Sequence, residues 1–182
     1  VEPGVEFLGR QLSAPLLISC MTGGTGEALR INRDLARAAE ETGVALGLGS
    51  QRKALEDPAQ EASFQVRELA PSVPLLANLG AVQLNYGYGL DECRAAVEMV
   101  DADALVFHLN PLQEAIQPEG DTDFGTLLPK MAEVTEQLDV PVIVKEIGCG
   151  ISAREGRALA DAGIEIVDAA GHGGTSWARI EA

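Results

Sequence analysis

Apolar runs of four or five residues alternate along this chain with segments whose apolar positions repeat at helical spacing. Pro15–Ser19 is the first run, and Met21-Thr22-Gly23-Gly24 breaks it. Glu27–Thr42 then reads as a helix, with Leu29, Leu35, Ala36 and Ala39 on one side and Gly43 as its stop. Val44–Leu48 is a second strand, ending at Gly49-Ser50-Gln51-Arg52, and Pro58–Leu69 is the next helix candidate. Pro74–Asn78 is a third strand, followed by the polar loop Gly80–Gly89 and a helix over Leu90–Val100. Ala104–Phe107 is the fourth strand, and Phe124–Leu138 a long amphipathic helix. Val140–Val144 is the fifth strand, ending at Lys145-Glu146. Ser152–Ala162 is helical, with Ser152 as N-cap, Glu155 three residues on and Gly163 as stop. Ile164–Val167 is the sixth strand, ending at Asp168 and the loop Ala170–Ser176.

Strands that read as continuous apolar runs, with helices between them, imply a parallel sheet buried on both faces. Two α/β architectures compete. An open doubly wound sheet gathers its site at one switch point, whereas a (β/α)8 TIM barrel places chemistry after the C-terminal end of many strands. Polar clusters follow all six strands here, which favours the barrel. Eight units need about 250 residues, so 182 residues are expected to form an incomplete barrel of about six βα units. The last two units and an N-terminal extension are expected to be absent, and residues 1–182 to be one partial domain. The first residue, Val1 rather than Met, points the same way.

Composition narrows the function. A formal charge of −15 and the lack of a basic run argue against a nucleic-acid partner. Cys20, Cys93 and Cys149 are scattered and odd in number, with no C-x-x-C pair. Neither a zinc site nor a disulfide framework is indicated, and a cytoplasmic setting is expected. No apolar stretch approaches the length of a membrane span.

The densest chemistry lies at the end of the fourth strand, where His108, Asn110, Gln113 and Glu114 fall within seven residues. Glu114 can ligate a hard cation such as Mg²⁺. His108 and Asn110 can donate to an anion. Gln113 is no strong acid or base, but it can orient one or donate to developing charge. Gln117–Asp121 is either a second acidic element or a solvated loop tip. Gly23, Gly24 and Gly26 permit a close approach to a ligand, or make an ordinary turn. Arg52 and Lys53 suit a phosphate, or a solvated loop. Asn78 can read the edge of a heterocycle. Lys145 can form a Schiff base or hold a positive charge beside a cofactor. Glu146 should point the other way, toward a salt bridge or a helix. Gly171-His172-Gly173-Gly174-Thr175-Ser176 resembles a phosphate-cradling loop.

Taken in order, Met21–Gly24, Gly49–Arg52, Ala77–Gly80, His108-x-Asn110-x-x-Gln113-Glu114, Gln117–Asp121, Val144–Glu146 and Gly171–Trp177 resemble type 2 isopentenyl-diphosphate isomerases, which are FMN-dependent barrel enzymes. The resemblance implies FMN, Mg²⁺, and NAD(P)H as reductant. It implies interconversion of isopentenyl and dimethylallyl diphosphate, with reduced flavin mediating proton addition and removal. By position, Met21, Thr22, Gly23, Ser50, Asn78, Lys145 and Thr175 would contact FMN, with Lys145 supporting its anionic reduced form. Arg52, His108 and Asn110 would hold the diphosphate, Gln113 would sit by the reacting alkene, and Glu114 would bind Mg²⁺. A homo-oligomer, tetramer or octamer, is also implied. The family's N-terminal basic segment and last two βα units are expected to be absent from residues 1–182, and Ile147 stands where some members have a polar residue. Residues 1–182 alone are therefore expected not to isomerise isopentenyl diphosphate. Turnover by purified 1–182 with reduced FMN and Mg²⁺ would overturn this.

Three other readings compete. Hydroxy-acid oxidases, also FMN barrels, would carry His-x-x-Arg, and neither His108 nor His172 has Arg three residues on. A Schiff-base aldolase would use Lys145. A catalytically silent flavin- or phosphate-binding barrel would bind without turnover.

Overall fold

The computed structural model describes residues 3–182. A hairpin of β1 (Val5–Phe7) and β2 (Arg10–Leu12) comes first. Six further strands follow: β3 (Leu17–Ile18), β4 (Ala45–Gly47), β5 (Leu75–Gly80), β6 (Ala104–Leu109), β7 (Val142–Glu146) and β8 (Ile166–Asp168). Between and after them lie α1 (Gly26–Thr42), α2 (Arg52–Glu56), α3 (Leu90–Val100), α4 (Pro111–Ile116), α5 (Leu127–Gln137), α6 (Ala153–Asp161) and α7 (Trp177–Glu181).

Strands β3 to β8 are hydrogen-bonded in sequence order, and the pairs β3/β4, β4/β5 and β7/β8 are parallel. A doubly wound sheet reverses its strand order at the switch point. No reversal occurs here, which is the order of a (β/α)8 barrel. Every residue of β4, β5 and β7 is buried, as a parallel sheet covered on both faces requires.

The chain forms two compact units, residues 1–79 with 94–105, and residues 80–93 with 106–182. In the first unit, α1 is capped by Thr25, whose hydroxyl accepts from the Ala28 N–H, and it ends at Gly43 with φ 66°. Its buried stripe is Ala28, Asn32, Ala36 and Ala39, so a polar Asn sits where the apolar pattern leads through Leu29 and Leu35. Asp103, just before β6, gathers Arg10, Arg67 and the Leu75 N–H. Burial raises its carboxyl, but those donors outweigh it and hold the pKa below the usual range. In the second unit, α6 opens with a full capping box between Ser152 and Glu155, as its sequence predicts. The Lys130 ammonium of α5 caps the Leu84 carbonyl at 2.6 Å.

Four features differ from the sequence reading. Pro58–Leu69 is not one helix but two short 3₁₀ segments, Pro58–Ser63 and Arg67–Leu69, after the short helix α2. Gln113 and Glu114 lie on a helix, α4, and not in a loop. The hairpin and α7 had no counterpart in the pattern. No described helix is long and apolar enough to cross a membrane.

The hairpin turn carries a visible strain. Leu8 (φ 51°) and Gly9 (φ 72°) both have positive φ, the backbone of a type I′ turn, which favours Asn-Gly. Leucine in this region costs roughly 1–2 kcal/mol. Leu8→Asn is expected to stabilise the protein by about 0.5–1 kcal/mol after its lost burial is deducted. A melting temperature unchanged or lowered would mean that Leu8 packing outweighs the strain.

Candidate active site at the strand ends

The strand ends of the first unit carry Met21, Thr22, Gly23, Ser50, Arg52 and Asn78. The Thr22 carbonyl accepts from the Gly49 N–H at 2.9 Å and from Asn32 Nδ2 at 3.2 Å. Asn32 also donates to the Ser63 carbonyl at 2.8 Å. The loop after β3 is thus fastened both to the loop after β4 and to α1. A Cβ on Gly23 would lie 2.1 Å from the Phe64 ring; that glycine is required by packing, which narrows the earlier choice between turn and ligand approach. Met21 is half exposed and Thr22 and Ser50 partly so, while Asn78 is buried. Arg52 pairs with Glu56 on the exposed face of α2 at 2.9 Å.

The strand ends of the second unit carry the rest. Asn110 is buried, and its Nδ2 donates to Glu114 Oε1 at 2.7 Å and to Gln113 Oε1 at 3.3 Å. Its Oδ1 accepts no hydrogen bond among the described residues. Glu114 Oε2 accepts from the Asp121 N–H at 2.7 Å, and Gln83 Nε2 donates to Asp121 Oδ2 at 3.0 Å. Gln117–Asp121 is therefore folded back on α4. Pro111 at the first position of α4 and Asn110 before it were the sequence signals that could have placed Gln113 and Glu114 on one helix. Gln113 Nε2 donates to Glu181 of α7 at 3.1 Å.

Lys145 is 5% exposed, and among the described residues its one hydrogen-bond acceptor is the Glu146 carbonyl at 3.2 Å. An ammonium has three donors, so two remain for a ligand. His108 feels that charge: burial, and then the Lys145 ammonium, push its imidazole down to about 4. It is neutral at pH 7 and carries no cationic charge. Glu146 departs from its expected salt-bridge or helix-facing role. It is 7% exposed, and its Oε2 accepts the N–H groups of Gly148, Cys149 and Gly150 at 2.6, 2.5 and 3.0 Å. The sequence hint was Gly148 and Gly150 themselves, whose positive φ lets the amides converge.

Thr175 and the exposed loop around it line a cavity of about 880 Å³ with Leu112 and Ile116 of α4 and Ile180 of α7. The glycine-rich loop thus shares one opening with the apolar side of α4, which Gln113 and Glu114 do not line. His172 is exposed there.

The residues fit a flavin. A buried ammonium with donors to spare, a neutral imidazole beside it and a buried amide oxygen lacking a partner are what an anionic heterocycle with carbonyl and N–H edges would engage. They also fit Mg²⁺ in part. Glu114 accepts two hydrogen bonds, whereas a carboxylate has about four lone-pair sites, and Mg²⁺ commonly takes one or two carboxylates plus substrate phosphate. No group of three or more His, Cys, Asp or Glu poised for a metal occurs among the described residues.

No family model matches the chain. It is similar along its whole length to proteins named isopentenyl-diphosphate delta-isomerase: 58% identical over 182 residues to that of Paracoccus zeaxanthinifaciens, 57% over 183 residues to that of Hydrogenovibrio crunogenus, and 53% over 182 residues to that of Synechocystis. The chain spans about half the length of these curated relatives, 52%, 53% and 52% respectively. Among solved structures it is similar to a mandelate oxidase variant with a monooxide FMN adduct, with TM-score 0.62 and 19% identity over 92% of this chain and 50% of that one. A chimera of (S)-mandelate dehydrogenase gives TM-score 0.59 and 18% identity over 91% and 54%. At that identity the likeness shows the fold alone: this chain is part of a (β/α)8 barrel.

Proposed function

We propose that this chain is part of an isopentenyl-diphosphate delta-isomerase of the FMN-dependent, type 2 kind, interconverting isopentenyl and dimethylallyl diphosphate in isoprenoid biosynthesis. The observation that carries this reading is 53–58% identity over the full chain to proteins of that name. The buried, under-coordinated Lys145 supports the flavin. When bound and reduced, with NAD(P)H as reductant, FMN would supply the proton donor and acceptor.

The chain's own residues divide the remaining work. Met21, Thr22, Gly23, Ser50, Asn78, Lys145 and Thr175 would hold the flavin. Lys145 would set a fixed positive charge where anionic character gathers. Arg52, His108 and Asn110 would hold the diphosphate. Arg52 must exchange its exposed pairing with Glu56, a bond of small net value. His108, neutral, donates one N–H and adds no charge. Glu114 would hold Mg²⁺ against the diphosphate while Asn110 and the Asp121 N–H fix its carboxylate. Gln113 would orient the alkene after releasing Glu181. A homo-oligomeric, cytoplasmic enzyme completes the reading.

The test is FMN-dependent conversion of isopentenyl diphosphate by the full-length protein, compared with Gln113→Ala. Wild type should turn over, and the variant should lose roughly 10²-fold or more in kcat while still binding FMN. Full activity in the variant removes Gln113 from the mechanism. Flavin uptake without isomerisation in wild type returns the protein to the silent-barrel reading.

A further inference from the structure

Gln51 is a polar residue that the proposed mechanism leaves unused. Its side chain is fully buried, at 0% exposure. Its Oε1 accepts the Asn78 N–H at 3.0 Å, and its own N–H donates to the Asn78 carbonyl at 2.9 Å. Side chain and main chain together thus close a two-bond clasp on one peptide position at the end of β5. Its Nε2 donates to the Ala96 carbonyl inside α3 at 2.8 Å and reaches Met99 Sδ at 3.5 Å. Its carbonyl accepts from the N–H groups of Ala54 and Leu55, starting α2. Ser50 and Arg52 flank it in the chain.

A core glutamine is usually just a satisfied polar group. Methionine is of similar length but has no amide donor or acceptor, and the amide is expensive to bury unless each partner is present. What it does that methionine cannot is fix Asn78 relative to Ser50 and Arg52. We propose that Gln51 is a positioning residue that holds Asn78, Ser50 and Arg52 in the geometry that receives the flavin and the diphosphate. This rests on the flavin reading above, and it gives a role to a residue that touches neither ligand.

The experiment compares full-length wild type, Gln51→Met and Gln51→Glu, with FMN titrated into protein shown to be folded by circular dichroism. Gln51→Met should weaken FMN binding at least tenfold. Gln51→Glu separates positioning from packing. Ionised, its carboxylate faces the Ala96 carbonyl with no proton to donate; protonated, it restores that bond. None of the groups bonded by the Gln51 side chain titrates. FMN affinity of Gln51→Glu, relative to wild type at the same pH, should therefore recover as pH falls from about 8.5 to 6. A ratio flat with pH, or wild-type affinity in folded Gln51→Met, overturns the proposal. If wild type itself takes up no FMN, the flavin reading fails, and the clasp is then judged by amide hydrogen exchange at Asn78. Faster exchange in Gln51→Met, with more distant amides unchanged, supports positioning; unchanged exchange at Asn78 rejects it.

Discussion

Gly49→Ala is expected to cost the protein about 3 kcal/mol, the upper end of the usual range for overpacking, and to abolish flavin uptake. A Cβ at position 49 would stand 2.5 Å from the Thr22 carbonyl carbon and oxygen and 2.7 Å from its nitrogen. These are main-chain atoms and cannot rotate away. The carbonyl is also held by the Gly49 N–H and by Asn32, so relief means parting the loop after β3 from the loop after β4. Those loops carry Met21, Thr22, Gly23 and Ser50. Gly26→Ala is the control. Its Cβ meets nothing within 4 Å, it lies in the first turn of α1, and it should leave stability equal or better by about 0.5–1 kcal/mol. Thermal melts of the two variants side by side decide the matter. A Gly49→Ala melt equal to that of wild type would show that the two loops separate freely.

Lys145→Met is expected to lower kcat by 10²- to 10³-fold, the loss typical when a preorganised charge is taken from a developing anion. Methionine keeps the length and apolar stem, so the fold should persist; burying a lone ammonium is itself unfavourable. A second readout does not depend on turnover. With the ammonium gone, the His108 pKa should rise from about 4, while burial, its larger cause, still keeps it below 6.5. The sign for stability follows. The unfolded imidazole titrates near 6.5 and the folded one near 4, so between those values the unfolded state binds more protons and stability falls as pH drops. Above 6.5 the group has no effect. The acid-side loss should start at the same pH in Lys145→Met and end sooner. Imidazole NMR titration of both proteins measures this, and an unmoved His108 would mean that the two groups are electrostatically independent.

Much of the fold was legible because its signals are local and agree with one another. The buried strands β4, β5 and β7 each begin as an apolar run, Ala45-Leu46, Leu75–Ala77 and Val142–Val144, and α1 and α6 announce their ends through Gly43 and Ser152. The segment Pro58–Leu69 failed for a local reason too: Pro58 starts a helix well, but Phe64 and Val66 are both buried, and two residues apart they cannot share one stripe of a regular α-helix. The hairpin was missed because Leu8-Gly9 is a poor turn signal, tolerated through strain. Of the candidate site, the residue types at the strand ends could be read, but their fastenings could not. Asn32 reaches Thr22 and Ser63 from ten and thirty-one residues away, and Gln51 reaches Ala96 from forty-five. Such bonds are set by topology, and no periodicity encodes them. Glu146 shows the same limit: strand alternation sends it away from Lys145, yet only the folded loop supplies the three amides that it binds.

The carboxylate of Asp103 has a consequence for the order in which the molecule is made. Arg10 and Arg67 both wait for it, and Arg67 precedes it by 36 residues. At roughly 5–20 residues per second on the ribosome, Arg67 is without that counter-charge for about 2–7 seconds, and Arg10 for longer. During that interval the first unit also lacks its second segment, residues 94–105. The nascent chain is most open to chaperones, and to mispairing with its neighbours on a polysome, until residue 103 clears the tunnel and its one carboxylate bridges both arginines.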